Sequence, residues 1–254
     1  MITSLRGKIF FALGVVIFVL LWEVASFGMA SSLLLPSPYE VAKELLHLLW
    51  QRETYEHLST TLIRIGLGIV LSAFPGIILG ILSGRWNDLY FLFQPWLLVF
   101  QSIPAIVWVL LSLLWFPRDV TPVVLAFLTT FPLWVLGIRQ AILSVPGELL
   151  EMVDVFGVRG VRRYFALYFP YVLFSLSTTL RGTITLSIKI VVMAEVLAFP
   201  AQGIGARLFW AKTYVDIVQL FGWAMLLLLL SWGIDALFSR LIIVLKRYFH
   251  LEVE

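Results

Sequence analysis

The sequence predicts an all-α, polytopic membrane protein with six transmembrane helices. Two observations predict it. The 254 residues are 61% hydrophobic and only 13% charged, where a soluble domain carries roughly 25% charged residues. The apolar residues also fall into six runs close to the length of about 20 that crosses a bilayer. The absence of cysteine excludes disulfides and Cys-ligated zinc or iron–sulfur clusters, and three scattered histidines, His47, His57 and His250, argue against any metal site. The pI near 9.3 reflects basic residues placed between apolar runs, so topology explains it better than nucleic acid does.

The first run covers residues 9–27, preceded by Arg6 and Lys8. It exceeds the 7–15 residues typical of a signal-peptide core, so a retained first helix is expected. Residues 29–57 are polar enough to lie outside. Leu35-Pro36-Ser37-Pro38 is extended, because each proline disfavours helix in the residue before it, and residues 40–49 form a short amphipathic helix expected along the interface. Span two covers 58–83 and holds Gly76, Gly80 and Gly84 at four-residue spacing, which lets helix backbones approach closely. Span three covers 93–116, with kinks at Pro95 and Pro104. Span four covers 120–142, with Pro132 inside. Span five covers 171–197 and span six 218–244.

The basic residues fix the orientation. Arg6, Lys8, Arg85, Arg139, Arg159, Arg162, Arg163, Arg240, Lys246 and Arg247 fall on one side; Lys43, Arg52, Arg118, Arg207 and Lys212 fall on the other. The bias puts both termini and the 143–170 loop in the cytoplasm. Three segments follow: 1–57, the first span and external segment; 58–245, a five-helix core with the cytoplasmic loop; and 246–254, a cytoplasmic tail. With no G-x-x-x-x-G-K-[ST], no H-E-x-x-H and no G-x-S-x-G, the chain offers neither a phosphate cradle nor a catalytic constellation.

The 143–170 loop is the longest charged interruption of the second half. Pro146-Gly147 breaks span four. Residues 148–156 read as a short helix with acids in its first turn, where the helix dipole favours them. Gly157 ends that helix, and residues 158–169 form a second one carrying Arg159, Arg162 and Arg163. Leu149, Met152, Val153 and Phe156 make an apolar stripe at helical spacing.

Charges within the spans are costly, roughly 2.5–3.5 kcal/mol each at a helix centre. Arg64, Arg181, Glu23 and Asp235 lie close enough to helix ends to snorkel. Lys189 does not. It sits deep in span five behind Thr183, Thr185 and Ser187. Two roles stand open for it: facing a translocation path and attracting an anion, or pairing with an acid on another span, such as Glu195 of a second copy.

The spacing of the loop resembles the cytoplasmic motif of bacterial ABC importer permeases, E-A-A-x3-G-x9-I-x-L-P. Here Glu151-Met152-Val153 precede Gly157 by three residues, and nine residues later come Leu167, Phe169 and Pro170. Glutamate, glycine and proline are identical, and bulkier apolar residues replace the rest. The chain is further similar to the nitrate/sulfonate/taurine group of these permeases at Leu34-Leu35-Pro36, at His57 to Gly68 through Arg64, at Ser102-Ile103-Pro104-Ala105 and Trp108, at Thr179-Leu180-Arg181-Gly182, and at Ala194-Glu195 with Gly203-Ile204-Gly205. The Pro117-Arg118-Asp119-Val120 stretch departs from that group.

The resemblance implies a type I importer permease fold with a MetI-like core, in a plasma (inner) membrane. It implies that Glu151, Met152, Val153, Asp154, Phe156, Gly157 and Pro170 couple the chain to an ATP-hydrolysing subunit dimer. That partner, not this chain, would bind ATP and magnesium; no cofactor is expected here. A substrate-binding protein outside the membrane and a second permease copy complete the implied assembly, with a homodimer favoured. Glu195, Gly203 and Gly205 would belong, with Lys189, to the path or its gate. The implied cargo is a small anion such as a sulfonate, taurine or nitrate. The alternatives are a thiamine-precursor pyrimidine or riboflavin, and, in a different class, a secondary transporter, for which the sequence shows no internal symmetry.

Overall fold

The computed structural model of the chain describes residues 5–29, 33–157 and 168–248. Ten helices fill them: α1 (Leu5–Met29), α2 (Pro38–Trp50), α3 (Arg52–Arg85), α4 (Asn87–Ser102), α5 (Ala105–Trp115), α6 (Thr121–Leu143), α7 (Gly147–Val155), α8 (Phe169–Ala198), α9 (Ile204–Thr213) and α10 (Ile217–Tyr248).

The core is built on α3, α6 and α8. Along α3, Gly68, Gly76, Gly80 and Gly84 sit against Ala126, Trp134, Ile138 and Ile142 of α6. The Ser72 and Thr130 hydroxyls share a hydrogen bond of 2.7 Å in the same register. Each of these pairs differs by the same 58 residues, so α3 and α6 run parallel at a constant stagger. A methyl group on Gly80 would stand 2.7 Å from the Ile138 Cβ and 2.9 Å from the Val135 carbonyl. The glycines therefore set the distance between the two helices, as their spacing predicts. α8 runs antiparallel to α6. Ser175 donates to the Gly137 carbonyl at one end (2.7 Å), and Leu125 and Ala194 share a cluster at the other. Ile65 and Ile69 of α3, Ala126 and Trp134 of α6, and Ile184, Ile188 and Val191 of α8 form the central apolar cluster.

The count of six uninterrupted spans is corrected. Among the described residues, four helices are long and apolar enough to cross a membrane: α1, α3, α6 and α10. Span three is not kinked but broken. α4 and α5 meet at a bend of 100°, because Pro104 lacks the N–H that would continue the ladder. Counted as one broken span, the pair makes a fifth. α8 is 30 residues long, enough to cross, but Arg181, Lys189 and Glu195 make it too polar to qualify on composition.

Two further expectations change. α2 is not merely an interfacial helix. Ser37 caps it with a reciprocal capping box to Glu40, Leu48 is buried with Ile204, Trp223 and Leu226, and Glu44 lies against Gly222 of α10. α9, between the fifth and sixth spans where no helix was predicted, is a ten-residue helix. Its low hydrophobicity, with Gly203 before it and Gly205 inside it, hid the signal.

Candidate functional site

The two ends of the α3–α6–α8 core carry different structures. At one end, α6 passes through Val145 into α7. Leu149 and Val153 of α7 turn inward and pack with Val145, Tyr168 and Tyr171. Met152, Val155 and Phe156 face outward, with Phe156 76% exposed. The stripe expected from spacing is thus split. Val153 anchors α7 to its own chain, whereas Met152 and Phe156 are presented, and Val155 joins them. Glu151 is also exposed. Gly157 adopts φ +65°, the left-handed conformation that ends helices and that glycine takes without strain. The side chains of Asp154 and Pro170, and all of Arg159, Arg162, Arg163 and Leu167, lie outside the described residues. Nearby, Arg139 donates to Asn87 (3.0 Å) and lies 3.8 Å over the Tyr90 ring, tying α6 to the start of α4.

At the opposite end stands a buried polar hub. Glu195 near the end of α8 has no exposed surface. Its carboxylate accepts from Arg64 Nη1 of α3 (2.8 Å), from Thr61 (3.0 Å to each oxygen) and from the Gly205 N–H (2.9 Å). Thr61 in turn accepts from the Ile204 N–H (2.9 Å), and His57 Nδ1 accepts from the Gly203 N–H (3.0 Å). Arg64 also donates to the Gln202 carbonyl (2.6 Å) and, through Nη2, to the Asp119 carboxylate (2.8 Å). A guanidinium fork suits this service, because its planar donors reach several acceptors at once. Gly203 adopts φ +135°, and a methyl group there would stand 2.6 Å from the Glu195 carboxylate. Close approach as well as backbone conformation requires glycine.

The hub corrects several expectations. Arg64 does not snorkel; it is buried between two carboxylates. Glu195 is paired within its own chain, so it is not the acid a second copy would offer to Lys189. Glu195, Gly203 and Gly205, expected at a path or gate, are all buried, and their contacts join the α8–α9 connection to α3. The departure at Pro117–Val120 also gains an internal role, since Asp119 is an Arg64 partner. Sequence reading singled out each of these residues but could not join them. Asp119 and Glu195 lie 55 and 131 positions from Arg64, and no local pattern links such distances.

Arg181 and Asp235 form a bidentate pair, Nε to Oδ1 and Nη2 to Oδ2, both 2.8 Å, between α8 and α10, each near the middle of its helix. Lys189 is exposed, and among the described residues no carboxylate pairs with it.

Helices long and apolar enough to cross a membrane thus carry an exposed apolar face on α7 at one end and a buried polar hub at the other. Comparison with known proteins gives the family. Residues 76–247 match the model of the binding-protein-dependent transport system inner membrane component, and the chain belongs to that family. It is 27% identical over 158 residues to the glycine betaine transport system permease protein OpuAB of Bacillus subtilis, covering 60% of this chain and 54% of that one. The chain therefore spans about half the length of that relative. It is 24% identical over 209 residues to the putative aliphatic sulfonates transport permease protein SsuC of the same species, covering 81% and 75%. It is 28% identical over 188 residues to the formylaminopyrimidine transport permease protein ThiX of Halalkalibacterium halodurans, covering 73% and 72%. Among solved structures, a chain of the MetNI methionine ABC transporter in an inward-facing conformation superposes with a TM-score of 0.59 at 17% identity, over 79% of this chain and 97% of that one. The MetI-like fold expected from sequence is the fold observed.

Proposed function

We propose that this chain is the membrane-spanning permease subunit of an ATP-driven importer, moved through α7 by a separate ATPase subunit. The observation that carries the reading is the division of labour on α7. One face, Leu149 and Val153, is seated on the chain's own Val145, Tyr168 and Tyr171. The other presents Met152, half exposed, and Phe156, largely exposed, among the described residues. A lever needs both a stiff root and a free contact face. Exposed aromatic and thioether side chains are the kind that fill a partner's groove, and Glu151 beside them can meet a basic group at its rim. The bulkier Met152 and Val153, where the family motif has alanines, separate in role: one meets the partner and the other roots the lever.

The assembly we infer has two copies of this chain, identical ones being favoured, an ATPase dimer binding ATP and magnesium on the cytoplasmic side, and a substrate-binding protein outside. The three segments 1–57, 58–245 and 246–254, both termini in the cytoplasm, belong to the same reading. Cargo is a small solute. An anion such as a sulfonate, taurine or nitrate is favoured by the group resemblance and by the likeness to the sulfonate permease. The glycine betaine and formylaminopyrimidine relatives mark the alternatives.

The test is co-purification and ATP-coupled uptake with the cognate ATPase subunit. Phe156→Ala combined with Met152→Ser is expected to release the ATPase subunit while the chain stays folded. Gly157→Pro, which cannot adopt φ +65°, is expected to abolish coupled uptake. Retention of the complex and of uptake in both variants would overturn the reading.

A further inference from the structure

In the body of α8, the exposed residues are of one kind. Between positions 171 and 196 they are Thr178, Arg181, Gly182, Thr185 and Lys189, and no apolar residue is among them. At 3.6 residues per turn these five fall within an arc of about 100°, and they run for roughly 16 Å along the helix, about half the hydrocarbon thickness. The opposite face of the same stretch, with Ile184, Ile188, Val191 and Val192, is buried in the core. α8 is therefore inverted relative to its neighbours. The outward positions of α3, for comparison, are Ile63, Leu67, Val70, Leu71, Phe74 and Ile78, which suit lipid.

A face bearing Lys189 and the Arg181–Asp235 pair does not suit lipid, where an unshielded charge is costly. Its hydroxyls are turned home. Thr185 donates to the Arg181 carbonyl (3.1 Å) and Thr178 to the Ser175 carbonyl (3.0 Å), so the face does not need a hydrogen-bonding protein neighbour to satisfy it. Its charges are unequal. Asp235 neutralises Arg181 through two hydrogen bonds, and among the described residues Lys189 has no such partner.

We propose that this face of α8 is a hydrated lane for the solute, and that Lys189 is its charge reader, drawing the anionic group of a small solute past Thr185 and Thr178. Arg181 is withheld from that task by Asp235. The lane deepens the permease reading and rests on it for the word solute. Its hydration and its charge selectivity are tested without transport.

The chain has no cysteine of its own, so a single introduced thiol can be read cleanly. Thr185→Cys in the full chain, in cell membranes, is exposed to 2-sulfonatoethyl methanethiosulfonate and to its trimethylammonium analogue. Thiols react as thiolates in water, so only a hydrated position is modified. The ratio of the two rates cancels any change in thiol acidity. The expected result is modification by both reagents, with a sulfonate-to-ammonium rate ratio higher than at the exposed control Tyr214→Cys. Adding Lys189→Met lowers the ratio by about tenfold, the worth of roughly 1.4 kcal/mol of attraction. Lys189→Arg keeps the ratio, and Asp235→Asn raises it by freeing Arg181. Leu228→Cys, on an apolar outward position of α10, is the unreactive control, and Tyr214→Cys, just after α9 and 74% exposed, is the reactive one. If Thr185→Cys is inert while Tyr214→Cys reacts, the lane is overturned. If it reacts with a ratio indifferent to Lys189→Met, the charge reader is overturned. Neither outcome bears on α7 and the ATPase subunit, whose failure would appear instead as retained complex and uptake in the α7 variants.

Discussion

At the scale of single residues, the hub around Glu195 makes the sharpest demand. A carboxylate with no exposed surface is tolerable only because Arg64, Thr61 and the Gly205 N–H all point at it. Removing one partner leaves a buried charge unpaired, which costs about 3–5 kcal/mol, whereas replacing the pair by apolar residues is often near neutral. Arg64→Leu is therefore expected to lower the thermal unfolding midpoint of the purified chain in detergent by more than any exposed substitution. The double variant Arg64→Leu/Glu195→Leu recovers a large part of the loss. An unchanged midpoint in the single variant would mean that the hub is not stabilising. Glu195→Gln keeps an acceptor for Gly205 and is expected to fall between the two.

At the scale of elements, the fixed 58-residue stagger of α3 on α6 follows from glycines that leave no room for a side chain. Gly80→Ala introduces a methyl group 2.7 Å from the Ile138 Cβ, and overpacking of this kind costs about 1–3 kcal/mol. Gly66 lies on the same helix with nothing within 4 Å of such a methyl. Gly66→Ala is therefore expected to be neutral or slightly stabilising, since alanine favours helix over glycine by about 1 kcal/mol. Folded yield by size-exclusion profile separates the two. Equal behaviour of Gly80→Ala and Gly66→Ala would remove the close contact as the reason for the spacing. The broken pair α4–α5 belongs to this scale too. Pro95 is accommodated inside α4, but Pro104 coincides with the 100° turn, and only the surrounding packing distinguishes a tolerated proline from a breaking one.

Across the whole molecule, α7 and the Glu195 hub sit at opposite ends of the same two helices, α6 and α8. Motion of α7 reaches the hub end only if its root is stiff. Val153, buried against Val145 and Tyr168, is that root, whereas Phe156 is exposed. On the proposed function, Val153→Ala leaves the ATPase subunit bound and lowers solute moved per ATP several-fold, in contrast to the Phe156 variant, which loses the complex. Measuring the two quantities on reconstituted transporter distinguishes a transmission defect from a docking defect. If Val153→Ala transports with wild-type stoichiometry, α7 is not held by this seat.

Much of this architecture was legible in the chain because the bilayer imposes it. A run of apolar residues has few alternatives to a helix in lipid, where every backbone group must be satisfied internally. The spans, the glycine spacing on α3, the short helix ended by Gly157, and the motif leading to the family were readable for that reason. What the sequence could not decide was pairing. Arg64, Asp119, Glu195 and Gly205 come from four separate stretches, and Arg181 and Asp235 lie 54 residues apart. A charge within an apolar run says that a partner or water is needed, not which. The inward turn of Val153 beside the outward Met152, and the single polar face of α8 carrying Lys189, were likewise settled only when neighbouring helices covered one side of each helix and left the other open. Local chemistry dictated the helices; long-range packing chose which of their faces hold the fold and which remain free to act.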